Sequence, residues 1–190
     1  MITEKDLQIL EFVWQYGSIT INQAYQMFFS NAAFGRDMAR KRLKKLNDIG
    51  LLNKTILAQG LTNELIYYKE RPVSPHKLIL LNLYAALKFY GAKINEFKME
   101  YKVGNVRPDA FISFDYKDYT IIAFVEVVLT HQVNYKAYEE LKNTGQLQNE
   151  LGTFPLLVVI ANNPEHYTGK NLKVKYLDYK LKNIHQELLP

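Results

Sequence analysis

Apolar positions in the first third of the chain recur at helical intervals. Leu7, Leu10, Val13 and Trp14 follow Thr3 and Asp6, which stand at capping-box spacing with Asp in place of the usual Glu. This predicts a helix from about residue 4 to 16, stopped by Gly17. Thr20 is placed to cap a second helix carrying Ile21, Ala24, Tyr25 and Phe28, and residues 30–35 form a connector. Ala39, Leu43 and Leu46 mark one side of a third helix that ends at Ile49, before Gly50. The period then changes. LLNKTILA and ELIYYKE, rich in Leu, Ile and Tyr, flank the turn-prone Gln59-Gly60-Leu61-Thr62-Asn63 and predict a β-hairpin.

Pro72 and Pro75 interrupt both periodicities and place a linker at residues 72–75, between a domain of residues 1–71 and one of residues 76–190. Ser74 as cap and Pro75 in the first helical position then start a helix over residues 76–90. Only Lys77, Asn82 and Lys88 give it a polar side, so it must be buried on several sides, by its own domain and by either the N-terminal domain or a second subunit. Beyond Gly91 the pattern is strand-rich, with strands predicted over 94–103, 110–115, 119–129, 154–161 and 172–179. A helix over 133–142 separates the third strand from the fourth, which is an α/β layer order. The whole reads as α+β.

Charge narrows the reading. The chain carries 24 Lys+Arg against 19 Asp+Glu, yet residues 36–54 alone hold seven cations (Arg36, Arg40, Lys41, Arg42, Lys44, Lys45, Lys54) and two acids, Asp37 and Asp48. That stretch carries the whole net excess of +5. Focused charge is the footprint of a phosphate-binding surface, because counterion release rewards clustered cations; a solvated basic helix face is the alternative. The chain has no cysteine, which excludes thiolate zinc and thiol catalysis, and His76, His131, His166 and His185 lack metal-ligand spacing. No apolar run approaches the roughly 20 residues of a bilayer span and no signal segment is evident, so a cytoplasmic protein without membrane contact is expected.

Two acids stand out in the second half. Asp109 follows Arg107-Pro108 at the mouth of a strand, and Glu126 interrupts the apolar run 121–129, where a charge needs a partner. A hairpin around residues 115–119 puts the two carboxylates on one face, whether Asp109 lies opposite residue 124 or residue 126. A structural role for Glu126, satisfied by Arg107, His131 or Tyr135, is the alternative to chemistry.

Helix, helix, basic helix and hairpin in about 70 residues, with RKRLKKLNDIGLL at the centre, resemble the winged helix-turn-helix. That resemblance implies double-stranded DNA as partner, with the third helix in the major groove and the wing, including Lys54, Thr62 and Asn63, along the backbone. Palindromic sites would favour a homodimer through the apolar helix 76–90. The C-terminal half resembles the PD-(D/E)xK nuclease fold, whose carboxylates hold a divalent ion and whose lysine activates water. The resemblance implies Asp109 and Glu126 as possible Mg²⁺ ligands, while Val128 occupies the lysine position. If the domain is active, Lys136 is the substitute; Tyr138 falls near a Gln-xxx-Tyr position of some members. Across residues 3–160 the order of motifs resembles the replication-relaxation family of plasmids and mobile elements. It implies a sequence-specific DNA-binding regulator of transcription, replication or transfer with a catalytically degenerate nuclease-like domain. A metal-dependent DNA nuclease targeted by the winged helix is the alternative, and a protein-recruiting adaptor a third reading.

Overall fold

The computed structural model describes residues 1–56 and 65–189. Seven α-helices and two sheets among those residues make a mixed α+β protein. No helix among them is long and apolar enough to cross a membrane. The turn-prone segment with Thr62 and Asn63 lies outside the described residues. The chain forms two compact units, Met1–Gly91 and Ala92–Pro190.

In the first unit α1 (Glu4–Tyr16) starts with the expected capping box. The Asp6 carboxylate accepts the Thr3 N–H at 2.8 Å, and the Thr3 hydroxyl accepts the Asp6 N–H. Gly17 ends the helix at φ 94°, a conformation that favours glycine. Strand β1 (Ser18–Thr20) follows, too short for any periodicity to reveal it. Thr20 caps α2 (Ile21–Ala24) in a second box closed by Gln23. The helix widens into a π-helical turn over Tyr25–Phe29. Helix α3 (Gly35–Asp48) then leads into β2 (Asn53–Ile56) and β3 (Leu65–Tyr68), and the antiparallel sheet has the order β1-β3-β2. Ile66 of β3 lies between Thr20 and Thr55, which ties the start of α2 to the hairpin.

Ser74 and Pro75 start α4 (Pro75–Phe89) as expected. The division of the chain departs from the sequence expectation at this helix. The compact units divide after Gly91, and not at residues 72–75, because α4 packs on α2 and on the π-helical turn. Gln23 reaches across to it, its side-chain amide donating to Asn82 Oδ1 at 2.7 Å. Leu78, Ile79, Leu80 and Leu81 of α4 are each at most 2% exposed, while Phe89 at its end is 39% exposed.

The second unit is a five-stranded sheet of order β4-β5-β6-β7-β8, built from β4 (Lys93–Met99), β5 (Ala110–Tyr116), β6 (Tyr119–Val127), β7 (Leu156–Ile160) and β8 (Val174–Leu177). Its first three strands are antiparallel, while β6, β7 and β8 run parallel. The crossover from β6 to β7 carries α5 (Tyr135–Asn143) and a short α6 (Gln146–Leu151); α7 (Ile184–Glu187) closes the unit. Tyr138 and Leu141 of α5 and Leu147 of α6 pack with Phe111, Phe124 and Leu157 in the core.

Candidate nucleic-acid interface and a carboxylate pair

Helix α3 turns Ala39, Leu43 and Leu46 inward and presents Arg36, Arg40, Lys41 and Lys44 to solvent. Lys54 on β2 is exposed as well. Arg40 pairs with Asp37 at 3.1 Å on the exposed surface, which orients the guanidinium without burying it.

Arg42 is a correction to the expected DNA-binding set. Its Nε donates to Asp6 Oδ1 at 2.7 Å, its Nη2 donates to Asp6 Oδ2, and Nη2 also reaches the Thr3 hydroxyl at 3.2 Å. The Asp6 side chain is wholly buried and that of Arg42 is 24% exposed. Burial alone would raise the Asp6 carboxyl. The Arg42 guanidinium and the Thr3 donors overcome it and hold Asp6 below the usual carboxylate range. Arg42 thus fastens α3 to the first turn of α1. Lys45 is also turned aside, donating to the Met1 carbonyl at 2.6 Å. The sequence reveals the capping role of Asp6 but gives no sign of a partner 36 residues away.

In the second unit the strand register sets the two carboxylates side by side. Tyr116 pairs with Tyr119 across a two-residue turn, with Lys117 at φ 51°, and Ala110 pairs with Val125, so continuing the register places Asp109 opposite Glu126. Asp109 Oδ2 accepts the N–H of Val127 at 2.7 Å and is hydrogen-bonded, side chain to side chain, with Glu126. The second partner of Glu126 is the Tyr138 hydroxyl, which donates to its Oε1. The Glu126 carboxyl is pushed up to about 7, by burial first, with the Tyr138 bond pulling against the rise and the charge of Asp109 adding to it. The buried Tyr138 phenol is itself raised, by burial first and by Glu126 second.

The other expected partners of Glu126 are placed differently. Arg107 pairs with Glu100 at 2.9 Å, Tyr135 donates to the Glu165 carbonyl at 2.8 Å, and His131 is exposed. Lys136 does not join the carboxylates. Its side chain is 84% exposed and lies 4.0 Å from Glu140, because two residues along a helix turn it to the side opposite inward-facing Tyr138. Val128, apolar where a nuclease would need its lysine, lines a small cavity of about 230 Å³ with Gln132, Val133, Tyr135, Asn163 and Glu165.

This donor set falls short of a resident divalent ion, which takes about six oxygens: only two carboxylates meet here, with the Val127 amide and the Tyr138 hydroxyl already donating to them. Among the described residues no group of three or more His, Asp or Glu side chains is placed to share an ion. The sequence marks Tyr138 only through its position on the helix, where its inward spacing with Leu141 is the available cue. Searches of family profiles, curated proteins and solved structures return no match for the chain.

Proposed function

We propose that the protein is a sequence-specific DNA-binding regulator of the winged-helix type, with α3 as the reading helix. The observation that carries this is the exposed face of α3: with Arg42 and Lys45 engaged elsewhere, Arg36, Arg40, Lys41 and Lys44 remain turned to solvent on one rigid helix. Counterion release makes such clustering favourable against phosphates, whereas like charges one turn apart only destabilise a helix left in water. The order α1-β1-α2-α3-β2-β3 with the sheet β1-β3-β2 supports the same reading, since it sets Lys54 on a hairpin directly after the basic helix. The resemblance to the replication-relaxation family points to control of replication, transfer or transcription on a plasmid or mobile element.

The C-terminal unit acts in this reading as an assembly or sensing domain with a degenerate nuclease-like site. Phosphodiester hydrolysis needs an activated water and relief of charge on the attacked phosphate, and neither Val128 nor the outward Lys136 supplies them. The adjacency of Asp109 and Glu126 is the one observation that favours the metal-dependent nuclease instead. Titration of duplex DNA from the protein's own locus, with and without Mg²⁺, separates the two. Binding in both conditions with the DNA left intact is expected. Cleavage that requires Mg²⁺ or Mn²⁺ and disappears in Asp109→Ala and in Glu126→Gln would establish the nuclease.

A further inference from the structure

Phe34 and Met38 are large apolar side chains left in water on a helix otherwise lined with charge, 76% and 44% exposed. Side chains on α3 advance by about 100° per residue and fall into bands. Gly35, Ala39, Leu43 and Leu46 form the buried band. On one flank of the exposed face Arg36, Arg40 and Lys44 follow each other at one-turn intervals. On the other flank lies Met38, and Lys41 falls between the two flanks; Phe34 precedes the helix at the N-cap, beside Arg36 and Arg40. Phe34 makes no side-chain capping bond. It forms one wall of an open groove of about 920 Å³ shared with Tyr25, Arg36 and Arg40.

We propose that Phe34 and Met38 are specificity-determining residues that read the C5-methyl groups of thymine in the major groove. The assignment rests on α3 being the reading helix. Phosphates offer an apolar side chain little and deoxyribose presents the same C–H groups at every base pair, so the apolar group that distinguishes one base edge from another in the major groove is the thymine methyl. The cationic flank complements the phosphates and fixes the depth and rotation of the helix, and those contacts carry no sequence information. The two exposed apolar side chains carry it.

The test selects duplexes from a random pool with the full chain, then replaces each thymine of the selected duplex singly by uracil, which pairs identically and lacks only the methyl. At the contacted thymines uracil weakens wild-type binding about fourfold, the burial free energy of one methyl-sized group expressed as a ratio. Phe34→Ala or Met38→Ala protein no longer distinguishes the two bases at its position, and Met38→Leu restores the distinction. Both side chains are exposed, so the variants keep the fold. Uracil without effect at every position, or an equal effect in wild type and alanine variants, overturns the assignment and leaves DNA binding standing. Failure of the full chain to enrich any duplex at low salt overturns both.

Discussion

Arg42→Met separates the structural cation of α3 from the exposed ones. The substitution keeps a long side chain but removes the guanidinium that donates to both oxygens of Asp6. Asp6 is wholly buried, so its carboxylate cannot turn to water, and its remaining donors are the uncharged N–H and hydroxyl of Thr3 at 2.8 and 3.0 Å. Deleting one partner of a buried ion pair costs about 3–5 kcal/mol. The partial exposure of Arg42 selects the lower end, about 3 kcal/mol. In a unit of this size that lowers the thermal midpoint by roughly 12–24 °C. The pH dependence weakens as well. In the wild type the lowered Asp6 carboxyl contributes stability that is present above its ordinary value of 3.8 and is lost as pH falls through the folded value. Without Arg42 only the Thr3 donors oppose burial, the carboxyl rises, and less stability is lost on acidification. Urea unfolding followed through Trp14, the chain's single tryptophan and part of α1, reports on this unit. Lys44→Met, exposed on the same helix, should stay within about 0.5 kcal/mol of wild type. An Arg42→Met protein with an unchanged urea midpoint but no DNA binding would refute the structural assignment.

Glu126 imposes the opposite pH behaviour on the second unit. Its carboxyl is raised from 4.5 to about 7 on folding, so the folded state holds the extra proton over that span and stability falls as pH rises through it, by about 3 kcal/mol in all. Glu126→Gln should abolish that slope in urea titrations between pH 4.5 and 7.5. Tyr138→Phe leaves Glu126 without its hydroxyl donor, should destabilise by about 1–3 kcal/mol, and should move the upper end of the same slope to higher pH. Gly35→Ala places a methyl group against the Phe29 backbone carbonyl at the start of α3. Thermal melts should show a decrease of at least about 1 kcal/mol.

Local signals carry much of this architecture. Thr3 with Asp6, Thr20, and Ser74 with Pro75 each announce a helix start through a cap that acts within four residues. An apolar run over 121–129 announces the strand that carries Glu126. What escapes such reading depends on residues far apart in sequence. Strand β1 exists because β3 pairs with it, not because three residues prefer it. The division after Gly91 follows from α4 packing on α2, whereas the prolines at 72 and 75 mark only the start of that helix. Arg42 looks like its neighbours because composition cannot distinguish a cation facing a buried carboxylate from one facing solvent. Glu126 is visible as an anomaly, but its Tyr138 donor lies on a crossover helix whose packing the periodicity does not set.

The salt dependence of duplex binding bears most heavily on the role assigned to α3. Affinity of the wild type and of a protein with Arg40→Ala, Lys41→Ala and Lys44→Ala is measured from low to moderate salt, with unfolding midpoints confirming that both are folded. Exposed cations on α3 that neutralise phosphates make the wild-type slope of log K against log salt steep. The triple variant should flatten that slope by about 0.9 for each phosphate it no longer neutralises, about 2.7 in all. An unchanged slope in a folded triple variant would contradict a phosphate-binding role for the helix.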